Sequence, residues 1–171
     1  MGVWCFDSGI LLSALAMAAG CATAAPLNNA PRAAGSFPAD ALVTQRALLT
    51  VRGRQFALNG YLALSAAGGK RLIVTQSFGP VLADVLVKRD RTIHVMRSSP
   101  MFRPAWIRRY VAADLECIFG DAPACDGPVR MLSATHYAVE RRCYKLDLQI
   151  LQTQPGPQSP ELFNETPRAT P

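Results

Sequence analysis

Few residues in this chain combine the type and spacing that catalysis demands. The two histidines, His94 and His136, fall in stretches that read as strand, where a lone histidine is far more often structural than catalytic. Asp84 and Asp114 could form a carboxylate pair, but nothing in their spacing brings them together. There is no G-x-S-x-G, no H-E-x-x-H, no P-loop and no glycine-rich dinucleotide turn. A metal site would have to draw on Cys117, Cys125, Cys143 and His136, and no CxxC or HxxxH spacing supports one. The expectation is a protein that is not an enzyme, with no catalytic residue, no metal and no cofactor.

One cysteine does have a chemical context. Residues 9–20 form an uncharged apolar run that ends in Ala18-Ala19-Gly20-Cys21. That length suits the h-region of a secretory signal and falls short of the roughly 18 to 20 apolar residues of a spanning helix. The four residues resemble the lipobox of bacterial lipoproteins, although Ala18 stands where leucine is commonest and no Lys or Arg precedes the run. The resemblance implies a signal peptide over 1–20, cleavage before Cys21 and acylation of its thiol, palmitate among the chains. Ala22 rather than aspartate then implies sorting to the outer membrane. An ordinary signal peptide cut after Ala25 is the alternative. Of the remaining cysteines, Cys117 and Cys125 are the easiest disulfide, clipping the loop at 120–124, with Cys125–Cys143 the competitor.

Behind the cysteine, 21–45 is rich in Ala and Pro and reads as a flexible spacer. From 47 to 97 the pattern is a β-meander. Phe56, Leu58, Leu62 and Leu64 share one face of a strand at 54–65 with period two. Ala66-Ala67-Gly68-Gly69 makes a hairpin turn. Leu72, Val74 and Phe78 share a face of the next strand, and Val81, Ala83, Val85 and Val87 of the third; 88–91 is a charged turn before a fourth strand at 92–97. Several of these strands are apolar on nearly both faces, so something must cover the second one. A helix is predicted from Pro104, carrying Trp106, Ile107, Tyr110, Val111, Leu115 and Ile118 at helical spacing, with Gly120 as its C-terminal cap. Strands follow at 129–133, 136–140 and 143–153, the last with Tyr144, Leu146, Leu148 and Ile150 on one face. The proline-rich stretch 154–171 reads as a disordered tail.

Spacer, antiparallel strands, one helix and closing strands resemble the LolB/LolA-type lipid carriers. The body is similar, more narrowly, to an uncharacterised proteobacterial outer-membrane lipoprotein family found beside fatty-acid and aryl-polyene-type biosynthesis genes. The likeness rests on Phe56-Ala-Leu-Asn-Gly-Tyr-Leu-Ala-Leu, on 72–78 followed by Gly79, on Ala113-Asp114-Leu115-Glu116 and on Tyr144-Lys-Leu-Asp-Leu-Gln. It implies an α+β, mostly β domain over 46–153: a curved antiparallel half-barrel with one main helix across its concave face, enclosing an apolar cavity for acyl chains. The candidate lining is Phe56, Leu58, Leu62, Leu64, Leu72, Val74, Phe78, Val85, Val87, Trp106, Tyr110, Tyr144, Leu146 and Leu148.

The net charge of +6 and the basic pairs Arg52/Arg54, Lys70/Arg71, Arg108/Arg109 and Arg141/Arg142 read first as solvated surface, and otherwise as attraction to an anionic membrane or an acidic partner. No nucleic-acid partner is expected. The expected role is a lipid-anchored protein at the periplasmic face of the outer membrane that binds or carries a lipid or acyl-type ligand. The alternative is a non-catalytic accessory lipoprotein that docks an envelope protein.

Overall fold

The computed structural model describes residues 37–77, 79–120 and 127–165. The chain is mostly β. Eight strands form one open antiparallel sheet in the order β5-β4-β3-β2-β1-β8-β7-β6. The first five are β1 (Ala41–Val51), β2 (Arg54–Ser65), β3 (Gly69–Gln76), β4 (Val81–Val87) and β5 (Ile93–Ser98). They step outward as a meander. A single continuous helix then carries the chain to the opposite edge, where β6 (Val129–Ser133), β7 (His136–Arg141) and β8 (Tyr144–Pro155) step back until β8 pairs with β1. The strand that begins the sheet is therefore at its centre.

β1 is the main departure from the expected organisation. The spacer assigned to 21–45 ends earlier: Phe37 already packs on Phe119 with ring centroids 4.8 Å apart, and strand pairing starts at Ala41. Ala41, Val43, Gln45 and Leu49 turn inward and are buried, so the domain includes residues before 46. The rest of the spacer, 21–36, lies outside the described residues, as do the signal segment and Cys21. β1 and β2 are joined by Arg52 (φ 49) and Gly53 (φ 74), a two-residue turn of left-handed backbone whose twist matches that of the strands.

The helix begins at Pro104, whose missing N–H costs nothing in a first turn. It is π-helical at Ile107–Val111, where the N–H of Ala112 donates to the carbonyl of Ile107, and α-helical again at Ala112–Phe119. Gly120 ends it, though with extended backbone (φ −89, ψ 167) and not a left-handed cap. A Cβ there would lie 2.3 Å from the carbonyl oxygen of Glu116, so glycine is needed for close approach instead. The helix packs over one face of the sheet. Its Ile107, Leu115, Ile118 and Phe119 join Val43, Leu58, Leu62, Leu72, Val85, Val139 and Leu148 in one hydrophobic core.

The helix covers only that inner face. Ala63, Arg71, Leu86 and His94 form one cross-strand row on the other, and Ala63 and Leu86 are buried there. What covers them is the segment expected to be a disordered tail. β8 continues through Pro155, and a 3-10 turn at Pro160–Phe163 follows. Phe163 packs so closely on Gly68 that a Cβ at that glycine would lie 2.5 Å from its ring. Arg71 grips Asp84 through two bonds of 2.9 and 2.7 Å and also donates to the carbonyl of Leu162 at 2.7 Å. Glu165 meets Lys88. Prolines spare this segment much of the ordering entropy, and two apolar side chains and one arginine hold it down. Residues 166–171 lie outside the described residues.

Candidate functional site

Between helix and sheet lies an apolar hollow of about 90 Å³. Its floor is cut across three adjacent strand pairs. Ala47 and Leu49 of β1 stand between Leu58 on β2 and Leu146 and Leu148 on β8, with Leu72 and Val74 on β3 beyond. Its roof is Phe102, Trp106, Val111, Leu115, Ile118 and Phe119. The period-two alternation of the strands builds the floor, and the helical spacing aims the roof residues at it.

One end is closed by aromatic rings. Trp106 meets Tyr144 edge-on at 5.1 Å, Phe102 at 5.5 Å and Tyr110 at 5.9 Å. Behind them is a buried polar cluster. Asp114, on the helix, is 5% exposed. It accepts bonds from Nε and Nη2 of Arg141 at 3.0 and 2.6 Å, and from the hydroxyl of Tyr144. Arg141 also stacks over Tyr110 at 5.5 Å. Burial, and next the hydrogen bond to Asp114, push the Tyr144 phenol well above its ordinary value of 10.0. The phenol therefore stays a neutral donor. A second ion pair, Lys70 Nζ to Glu116 Oε1 at 2.8 Å, ties the helix to β3. These two links join the helix to both halves of the sheet. The partly buried Lys70 pair contributes about 1 kcal/mol, whereas the more deeply buried Asp114 cluster matters more.

Gln45 stands toward the other end. It is 6% exposed, lines the hollow, and its Oε1 is buried with no hydrogen-bond partner among the described residues. It faces Gly60 on β2, where an added Cβ would lie 2.6 Å from both Cγ and Nε2 of the amide. Against β8 the register shifts between Thr44 and Gln45, a bulge that leaves Leu151 exposed outside.

Of the expected lining residues, Leu58, Leu72, Val74, Trp106, Tyr144, Leu146 and Leu148 do line the hollow. Leu62, Leu64, Val85 and Val87 are instead closed into the surrounding core, and Phe56 and Tyr110 pack against it half-buried. Phe78 lies outside the described residues. Gln45, Asp114 and Phe102 were not anticipated as lining, since a strand amide and a helix carboxylate look like solvated positions until the fold buries them. Asp84 and Asp114 do not pair: one serves Arg71 and the other Arg141. His136 is near the surface and bonds Asp147 at 2.9 Å, and His94 faces Glu165 at 3.6 Å on the outer face. Neither histidine enters the hollow. Cys117 is disulfide-bonded and Cys143 is free, which removes Cys125–Cys143 as a pairing; Cys125 itself lies outside the described residues. Among the described residues no cluster of His, Cys, Asp and Glu is arranged to hold a metal ion, and no helix is long and apolar enough to cross a membrane.

No protein-family model matches this chain, and no curated protein matches it either.

Proposed function

We propose that this domain binds an apolar, chain-like ligand in the hollow between helix and sheet, in the manner of a LolB-like half-barrel carrier. We further propose that an acylated Cys21 holds it at the periplasmic face of the outer membrane. The observation that carries the ligand reading is the hollow itself, lined by aliphatic and aromatic side chains from four strands and the helix, with few polar groups. A void of about 150 Å³ takes a benzene-sized guest. At about 90 Å³ the hollow as it stands has room for a few carbon atoms. An acyl chain enters only if the helix lifts. The π-helical stretch at Ile107–Val111 gives that helix a weaker turn over the aromatic end, a feature common at functional sites.

Native mass spectrometry of the full chain, purified without detergent, should show bound phospholipid or fatty acid, and a fluorescent acyl probe should titrate to saturation. An empty protein that also fails to take up the probe would overturn the carrier reading. For the anchor, Cys21→Ala should abolish acyl labelling and release the protein from membranes; continued membrane association would refute it. The alternative role, docking an envelope protein, is favoured by one feature: Met131 and Leu132 are exposed on the edge strand β6. Cross-linking from that edge that captured a single protein, with the hollow empty of lipid, would turn the balance toward it.

A further inference from the structure

The unsatisfied amide oxygen of Gln45 is out of place in a hollow lined mostly by apolar side chains. A buried acceptor without a donor costs free energy that a leucine would not. The local structure nevertheless makes room for it. Gly60 leaves out the one methyl that would displace the amide, and the period-two alternation of β1, which buries Ala41 and Val43, aims the side chain inward. We propose that Gln45 anchors the head of the ligand, and that the head is neutral and carries a hydroxyl or amide N–H that donates to Oε1. This rests on the carrier reading above and specifies its ligand.

The chemistry of the surroundings selects the head. An ionised carboxylate only accepts, so it has no proton for the Gln45 oxygen, and the amide's own donors on Nε2 are packed against Gly60. The two cations tied to the helix are already engaged, Lys70 by Glu116 and Arg141 by Asp114. The register also orients the chain. From Gln45 the floor runs through Ala47 and Leu49, whose partners on β8 are Leu148 and Leu146, toward Tyr144. The row of Tyr144 lies six residue steps along the strand from that of Gln45, a span of roughly 20 Å. The head would lie at Gln45 and the apolar tail would point at Trp106.

A matched pair of probes tests this on the full chain: decanol and its isomer nonyl methyl ether, equal in carbon count and differing in the one donor. The wild-type protein should prefer the alcohol by about tenfold, the discrimination expected when a buried acceptor is left unpaired. Gln45→Leu should bring the ratio close to one while retaining affinity for the ether. Gly60→Ala, which pushes the amide aside without removing it, should erode the preference in the same direction and serves as the second variant should Gln45→Leu fold poorly. Equal binding of the two probes by the wild-type chain would overturn the anchor and leave the carrier reading intact. An unchanged preference in Gln45→Leu would overturn it too. If neither probe binds the wild-type chain, both readings fall together.

Discussion

Asp114→Ala should cost as much as truncating a large core side chain, although it removes only a carboxylate. The carboxylate is 5% exposed and accepts two bonds from Arg141 and one from Tyr144. Its removal leaves a guanidinium and a phenol, both partly buried, facing an empty space. Breaking a buried ion pair by deleting one partner costs about 3–5 kcal/mol. With unfolding entropy near 2 cal/mol/K per residue, a domain of this size loses about 4 °C of Tm per kcal/mol, so Tm should fall by about 12–20 °C. Calorimetry at neutral pH on the wild type and variant reads this directly. The origin of the loss can be checked as well. Adding Arg141→Met to Asp114→Ala should recover part of it, because the stranded charge is then gone and the arginine's stem is replaced by an apolar chain. A loss below about 1 kcal/mol, a value typical of exposed pairs, would refute the account of the cluster as a buried structural link.

The pH dependence follows from the same cluster. The folded pKa of Tyr144 is raised above its ordinary value of 10.0, so its contribution is present below that pH and is lost as pH rises through the folded value. Tyr144→Phe should therefore lose about 1 kcal/mol at neutral pH and should show a flatter decline of stability above pH 10 than the wild type; parallel declines in urea titrations would refute the assignment. Phe163→Ala should cost about 1–2 kcal/mol by removing the ring that seals the outer face, and limited proteolysis should then cut the chain after Pro155. Resistance equal to that of the wild type would show that Arg71 and Lys88 hold the segment without it.

Much of the sheet was legible because its strands obey a simple rule. Leu146, Leu148 and Ile150 alternate with exposed neighbours, Leu58, Leu62 and Leu64 share one face of β2 at period two, and the helix announces itself through Pro104 and the spacing of Ile107, Leu115 and Ile118. The central strand was harder to see. Ala41 and Gln45 are poor strand signals, and only pairing on both sides buries them. The tail was misread because proline and polar residues dominate it, while the two side chains that matter, Leu162 and Phe163, are visible only beside Gly68 and Arg71. The polar features of the candidate site had no local signature at all. Asp114 lies 27 residues from Arg141 and 30 from Tyr144 along the chain, so only the crossing of helix over sheet unites them. Gln45 has a still subtler mark, the absence of a methyl at Gly60 on the neighbouring strand.

The position of β1 also governs when this molecule can fold. Its two partners come from opposite ends of the domain: β2 follows it at once, but β8 is the last strand made. Until residues 144–155 have emerged, the earliest strand keeps one edge unpaired, and the floor of the hollow lacks Leu146 and Leu148. Such long-range pairing is slow and leaves strand edges open to aggregation. A chain exported amino terminus first would have to hold its central strand in an unfinished state throughout its passage. Folding can finish only once the carboxy-terminal strand arrives, so the time β1 spends with an open edge is set by how fast the rest of the domain follows it.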